Sequence, residues 1–143
     1  MTTDLTINKT INITADKSKI WEALTNPELI KQYLLGANVK SDWKVGDKII
    51  YSGKFNGIEF RDEGEINILD FEKQFQYSYW SANHGTENIP ENHVIISYNI
   101  TPTNGGTKLE LTQTNYKSKE IVEGMNHIWD LILGNLKKLV ETK

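Results

Sequence analysis

The sequence predicts an α+β fold in which one long C-terminal helix closes over an antiparallel sheet built by the middle of the chain. Three observations carry this. From Ser118 to Val140, apolar residues recur at helical spacing. From Lys48 to Thr114, apolar and polar residues alternate in runs separated by Asn56-Gly57, Asn83-His84-Gly85 and Asn104-Gly105-Gly106, which is hairpin-turn chemistry. No linker, internal repeat or low-complexity tract interrupts the 143 residues. The chain therefore reads as one domain over residues 1–143 with one core.

The elements follow in order. Leu5, Ile7, Ile11 and Ile13 share one parity and alternate with Thr and Asn, which predicts a strand over Leu5 to Ile13. Asp16 is placed to cap a short helix carrying Ile20, Trp21, Ala23 and Leu24. Asn26 can cap a second one, with Pro27 at its first position and Leu29, Ile30 and Tyr33 inward. Strands are then expected at Lys48 to Lys54, Ile58 to Leu69, Phe75 to Ser81, Val94 to Thr101 and Thr107 to Thr114. Phe75, Tyr77 and Tyr79 share a face, as do Leu109 and Leu111. The closing helix is capped by Ser118. Its stripe runs through Ile121, Val122, Met125, Ile128, Trp129, Ile132, Leu133, Leu136, Leu139 and Val140. At 1.5 Å per residue it is roughly 35 Å long. A stripe of that length has to bury, and the sheet is the only partner large enough. Leu131 falls outside the stripe, and the pattern does not place it.

Composition excludes several classes. The 16 Lys and Arg are scattered and outnumbered by 19 Asp and Glu, giving a net charge of -3. Such a balance argues against nucleic acid and anionic membranes as partners. There is no cysteine, which fits a reducing cytoplasm. The N-terminus carries no basic region followed by an apolar run, so no export leader is expected. No stretch approaches the roughly 20 apolar residues of a membrane span. The sequons at Asn8, Asn12 and Asn99 then read as chance matches inside strands. Neither a serine elbow nor a glycine-rich phosphate loop is present, and no cofactor is implied.

Several local motifs carry a resemblance. Ile20-Trp21-Glu22-Ala23-Leu24-Thr25-Asn26-Pro27-Glu28 and Ser41-Asp42-Trp43-Lys44-Val45-Gly46-Asp47 are two of them. Glu63-Gly64-Glu65-Ile66 is a third. The stretch from Asn99-Ile100-Thr101-Pro102 to Gly105-Gly106-Thr107-Lys108-Leu109 follows, and then Trp129 with Leu133 and Leu136. In this order they resemble the START-like superfamily (SRPBCC, the helix-grip fold) over nearly the whole chain. Within it the chain is most similar to the family named after the activator of heat-shock protein 90 ATPase. The resemblance implies a curved sheet of about six to seven strands wrapped around the long helix, with two short helices after the first strand. It also implies a pocket between sheet and helix. Similar members bind, or are suspected to bind, lipids and aromatic natural products, and a minority of the superfamily are cyclases or aromatases. The co-chaperone role belongs to larger eukaryotic relatives with an additional N-terminal domain and is not carried over. One departure stands out: Ile128 occupies a position, just before the helix tryptophan, where the family often has Gly or Asn.

The candidate ligand-binding residues are Trp43, Tyr51, Phe60, Tyr79, Trp80, His93, Met125, Ile128, Trp129 and Ile132. Aromatic walls supply contact area and a few polar tips orient a ligand; Met125 is an adaptable wall. The competing assignment for each is ordinary core. Tyr77 and Tyr98 belong to the same interior-facing aromatic group. His84, His93 and His127 show no metal-ligand spacing, and no metal is expected. His93 is assigned to the pocket mouth as a polar contact. Glu59, Glu63 and Glu65, with Arg61 between them, read as a solvated face. The opposite face holds Phe60, Gly64, Ile66 and Ile68, interrupted by Asp62, which parity turns inward. The expectation is a non-enzymatic domain, with no catalytic residue, that binds an apolar or aromatic small molecule as a monomer or weak dimer. A cyclase-type enzyme would need Asp62, Glu63 or His93 inside the cavity. A chaperone-accessory module would need an exposed apolar patch and no cavity.

Overall fold

The computed structural model describes residues 5–55, 57–81, 87–116 and 118–141. The chain runs β1 (Leu5–Ile13), α1 (Lys17–Thr25), α2 (Pro27–Tyr33), β2 (Asn38–Ser41), β3 (Lys48–Phe55) and β4 (Ile58–Asp70). Then come β5 (Gln74–Tyr79), a 3-10 turn (Pro90–Asn92), β6 (Val94–Thr103), β7 (Gly106–Tyr116) and α3 (Lys119–Glu141). The strands form one seven-stranded sheet in the order β1-β7-β6-β5-β4-β3-β2. Every pairing is antiparallel. The architecture is the expected helix grip: the sheet curves around α3, and two short helices follow β1.

The turn chemistry holds where the residues are described. Thr103 pairs with Gly106, and Gly105 takes φ +89 between them. Phe55 pairs with Ile58, and Gly57 takes φ +80. The Asn83-His84-Gly85 turn lies outside the described residues. Asn26 caps α2, its side chain accepting from Glu28 N at 3.0 Å. Asp16 precedes α1 but makes no side-chain cap; its carbonyl alone accepts from Lys19 N and Ile20 N. Strand β2 was not expected. It has four residues and buries only Val39, too little alternation to register as a strand.

The core explains the placement of α3. Ile7, Ile13, Phe75, Tyr77, Ile96, Tyr98, Leu109 and Leu111 point from the sheet to one side. Trp129, Ile132, Leu133, Leu136 and Val140 meet them from α3. Side-chain ties fix the C-terminal half of the helix beside β1. Lys137 Nζ donates to Asn12 O at 2.8 Å, and Thr14 N donates to Glu141 Oε2 at 2.7 Å. Lys9 pairs with Asp130 at 2.6 Å. Ser118 Oγ accepts from Ile121 N at 3.4 Å at the other end. Leu131 is exposed, off the buried face. Among the described residues, no helix is long and apolar enough to cross a membrane.

Candidate functional site

A cavity of about 460 Å³ lies between the sheet and the N-terminal half of α3. That volume falls in the range of small-molecule sites. The helix wall is a line of residues one turn apart: Ile121, Gly124, Met125, Ile128, Trp129 and Ile132. The sheet wall comes from alternate positions of four strands: Tyr51, then Ile58, Phe60 and Asp62, then Tyr77 and Tyr79, then Ile96. Ser81 and Tyr116 stand just beyond or at the strand ends. Leu34, Leu35 and Ala37 close one side. They reach it because the chain leaves α2 through two successive left-handed residues, Leu35 at φ 54 and Gly36 at φ 81. The exposed residues Ile58 and Gly124 mark the mouth.

The walls are mostly aromatic and aliphatic. Tyr51 packs against Tyr77 and Tyr79 with ring centroids 5.6 and 5.8 Å away. Trp129 meets Tyr98 edge-on at 6.4 Å. Burial is the main reason the phenols of Tyr51, Tyr77, Tyr79 and Tyr98 are held well above 10.0. For Tyr79 the adjacent Asp62 carboxylate adds to the shift. The phenols are therefore neutral at ordinary pH, and those of Tyr51, Tyr77 and Tyr79 give the cavity neutral walls and hydrogen-bond donors.

The polar content is small and specific. Asp62 is buried on the inner face of β4, and Tyr79 OH donates to its Oδ2. Tyr116 OH donates to Gln113 Oε1. Gln113 is fully buried, and its Nε2 has no partner among the described residues; neither has Trp129 Nε1. Two orphaned donors in one interior are unusual, because a buried unsatisfied group costs about 1–3 kcal/mol. No Lys, Arg or His is among the described residues lining the cavity.

The structure brings together Tyr51, Phe60, Tyr79, Met125, Ile128, Trp129 and Ile132 from the expected set. It does not bring in Trp43, Trp80 or His93, and each has a physical reason. Trp43 sits in the turn before β3 at φ 58, its N–H donating to Ser41 Oγ, and it packs on Phe75 at 5.9 Å. Trp80 follows Tyr79, so alternation sends it to the outer face, where its backbone bridges Glu63. His93 lies on that outer face too. Its Nδ1 is 3.1 Å from Ser78 Oγ and its Nε2 is 2.8 Å from Asn88 Oδ1. Asn88 Nδ2 in turn donates to Glu63 Oε1 at 2.5 Å, and Arg61 Nη1 donates to Glu63 Oε2 at 3.2 Å. Glu63 and His93 thus belong to a polar cluster behind the sheet, and of the three candidate ionisable groups only Asp62 faces the cavity.

Sequence reasoning left Ser81 and Tyr116 out of the site, and with them Gln113, which does not line the cavity but accepts from Tyr116 OH. Parity contained the signal for two of them: Ser81 shares the face of Tyr79, and Gln113 that of Leu109 and Leu111. Tyr116 lies one step off its strand's alternation, after Asn115 at φ 74.

The family described as activator of Hsp90 ATPase homolog 1-like protein matches residues 14–141. The solution structure of ChR145 from Cytophaga hutchinsonii is 34% identical, with a TM-score of 0.82, covering 99% of this chain and 97% of that one. The Aha1 dimer from Colwellia psychrerythraea is 24% identical with a TM-score of 0.76, covering 95% of this chain and 96% of that one. CalU16 from Micromonospora echinospora shares the fold at 18% identity and a TM-score of 0.75, covering 94% of this chain and 75% of that one. Among curated proteins no relative matches.

Proposed function

The chain belongs to the family of activator of Hsp90 ATPase homolog 1-like proteins, and from that premise we propose that it binds an apolar or aromatic small molecule without turning it over. The ligand, of lipid or polyketide and flavonoid type, sits between the sheet and α3. The observation that carries this is the cavity of about 460 Å³, walled by Tyr51, Phe60, Tyr77, Tyr79 and Trp129 and open past Ile58. A ligand that gives up roughly 250 Å² of apolar surface there gains about 6 kcal/mol before the costs of association. Asp62 with Tyr79 supplies the polar tip that fixes its orientation. On this reading the whole chain acts as one domain, in the cytoplasm, as a monomer or weak dimer.

An enzyme of the cyclase kind needs at least one ionisable group inside the cavity, a condition that Asp62 meets, and a second group to exchange the proton with it. Asp62 is the one candidate inside, while Glu63 and His93 bond to each other's neighbours behind the sheet. A chaperone-accessory module is supported less, since the N-terminal half of α3 covers a cavity rather than a filled core. Titrating flavonoids and fatty acids against isotope-labelled protein tests the proposal. Amide shifts should move in α3 between Ile121 and Ile132 and on the inner faces of β3 to β5. Silence of those amides toward every ligand would refute it.

A further inference from the structure

We propose that the cavity selects a ligand carrying a protonated amine, with Asp62 as its counter-ion; this rests on reading the cavity as a ligand site. Asp62 is 6% exposed. Aspartate at that depth is found almost only where something pairs with it. Here its described partner is a neutral phenol, Tyr79. No ion pair reaches it among the described residues, and no described residue of the lining is Lys, Arg or His. A carboxylate offers about four acceptor positions, so most of its capacity is open to a donor from outside the protein.

The surroundings point to a cation. Tyr51 is the cross-strand neighbour of Asp62, and Tyr79 packs on Tyr51 with centroids 5.8 Å apart. Phe60 lies two residues along on the same face and also lines the cavity. Aromatic faces attract cations, most strongly away from water. An ammonium group thus meets a carboxylate and ring faces together. An alcohol gains only a hydrogen bond, and a carboxylate ligand meets like charge with no compensating cation. The remainder of the ligand is apolar, because it lies along Met125, Ile128 and Ile132. The class is an arylalkyl- or alkylammonium.

Three probes of one shape test this: phenylbutylamine, phenylbutanol and phenylbutanoate, titrated at neutral pH and physiological salt with amide shifts as readout. The amine should bind roughly tenfold tighter than the alcohol, or better, and the carboxylate most weakly. Asp62→Asn, which keeps the side-chain shape and can still bond Tyr79, should erase the preference. Glu59→Gln removes the same charge from an exposed position and should leave it intact. An alcohol that binds the native chain as tightly as the amine overturns the proposal, whatever the variants do. So does a preference that survives Asp62→Asn. If none of the three probes, nor any flavonoid or fatty acid, moves the α3 amides, the ligand-site reading falls together with it.

Discussion

Replacing Gly64 by alanine should do more damage than its size suggests, and the structure says how much. A Cβ at Gly64 would stand 1.7 Å from the carbonyl oxygen of Ser78 and 2.5 Å from its carbon. Both obstacles are backbone, inside the contact between β4 and β5, so neither can swing away. The strands must separate locally. Near that point Trp80 N donates to Glu63 O at 2.7 Å, and Glu63 N donates to Trp80 O at 3.0 Å. Overpacking costs about 1–3 kcal/mol, and each ladder bond lost or stretched adds about 1 kcal/mol. The expected loss is therefore about 3–4 kcal/mol, a large share of the stability of a domain this size. In thermal melts that is a drop of roughly 10–14 °C. Gly134→Ala is the matched control. Gly134 is exposed on α3, with nothing within 4 Å of its added Cβ. There alanine should stabilise by about 0.5–1 kcal/mol, through helix propensity alone. Urea unfolding followed by tryptophan fluorescence measures both. If Gly64→Ala lies within about 1 kcal/mol of the parent, the close approach of β4 to β5 has been misjudged. Asp62 would then also be set less firmly than described.

The other expectations are briefer. Trp129→Phe keeps the ring but removes a buried N–H without a partner, so stability should stay within about 1 kcal/mol, while Trp129→Ala should cost about 3–5 kcal/mol. A loss above about 2 kcal/mol for the phenylalanine variant in urea would mean that the N–H is satisfied after all. The phenols of Tyr51, Tyr77 and Tyr98 sit well above 10.0, chiefly through burial. The native state then holds protons that the unfolded chain releases, so stability is full below about pH 10 and falls as pH rises beyond it. Phenolate absorbance should appear together with unfolding, and smooth ionisation of an intact fold would contradict this. His93 is lowered from 6.5 by burial, against the opposing charges of Glu63 and Glu65. Its contribution to stability is therefore present above that pH and lost as pH falls through it. A ring titration by NMR should show a midpoint below 6.5, and a midpoint above it would refute the assignment.

Much of the frame was legible in the sequence because it is periodic. Helix α3 announces itself over six turns, and β7 by alternation up to Gln113. Asp62 could be turned inward by parity alone. The same rule, applied one residue past Tyr79, puts Trp80 outside. Trp43 misled for another reason. It is set by a left-handed turn, which no periodicity encodes, and it packs on Phe75 rather than on open space. His93 was misplaced because its partners, Ser78 and Asn88, lie 15 and 5 residues away, so its face depends on pairings that only the folded sheet provides. The cavity itself is a mismatch between surfaces, and its extent follows from how far α3 stands off the sheet.

That stand-off divides one helix into two regimes. Trp129, Ile132, Leu133, Leu136 and Val140 are buried, and Asp130, Lys137 and Glu141 tie that half beside β1, whereas Ile121, Met125 and Ile128 are only partly covered. The anchored half carries the cost of folding, and the other half is comparatively free of it. Substitutions at Ile121, Met125 and Ile128 can therefore change the cavity's size and chemistry while the scaffold keeps its melting point. Ile128 occupies one of those inexpensive positions. The lining of the cavity can thus be rewritten at a handful of positions while the scaffold stays folded.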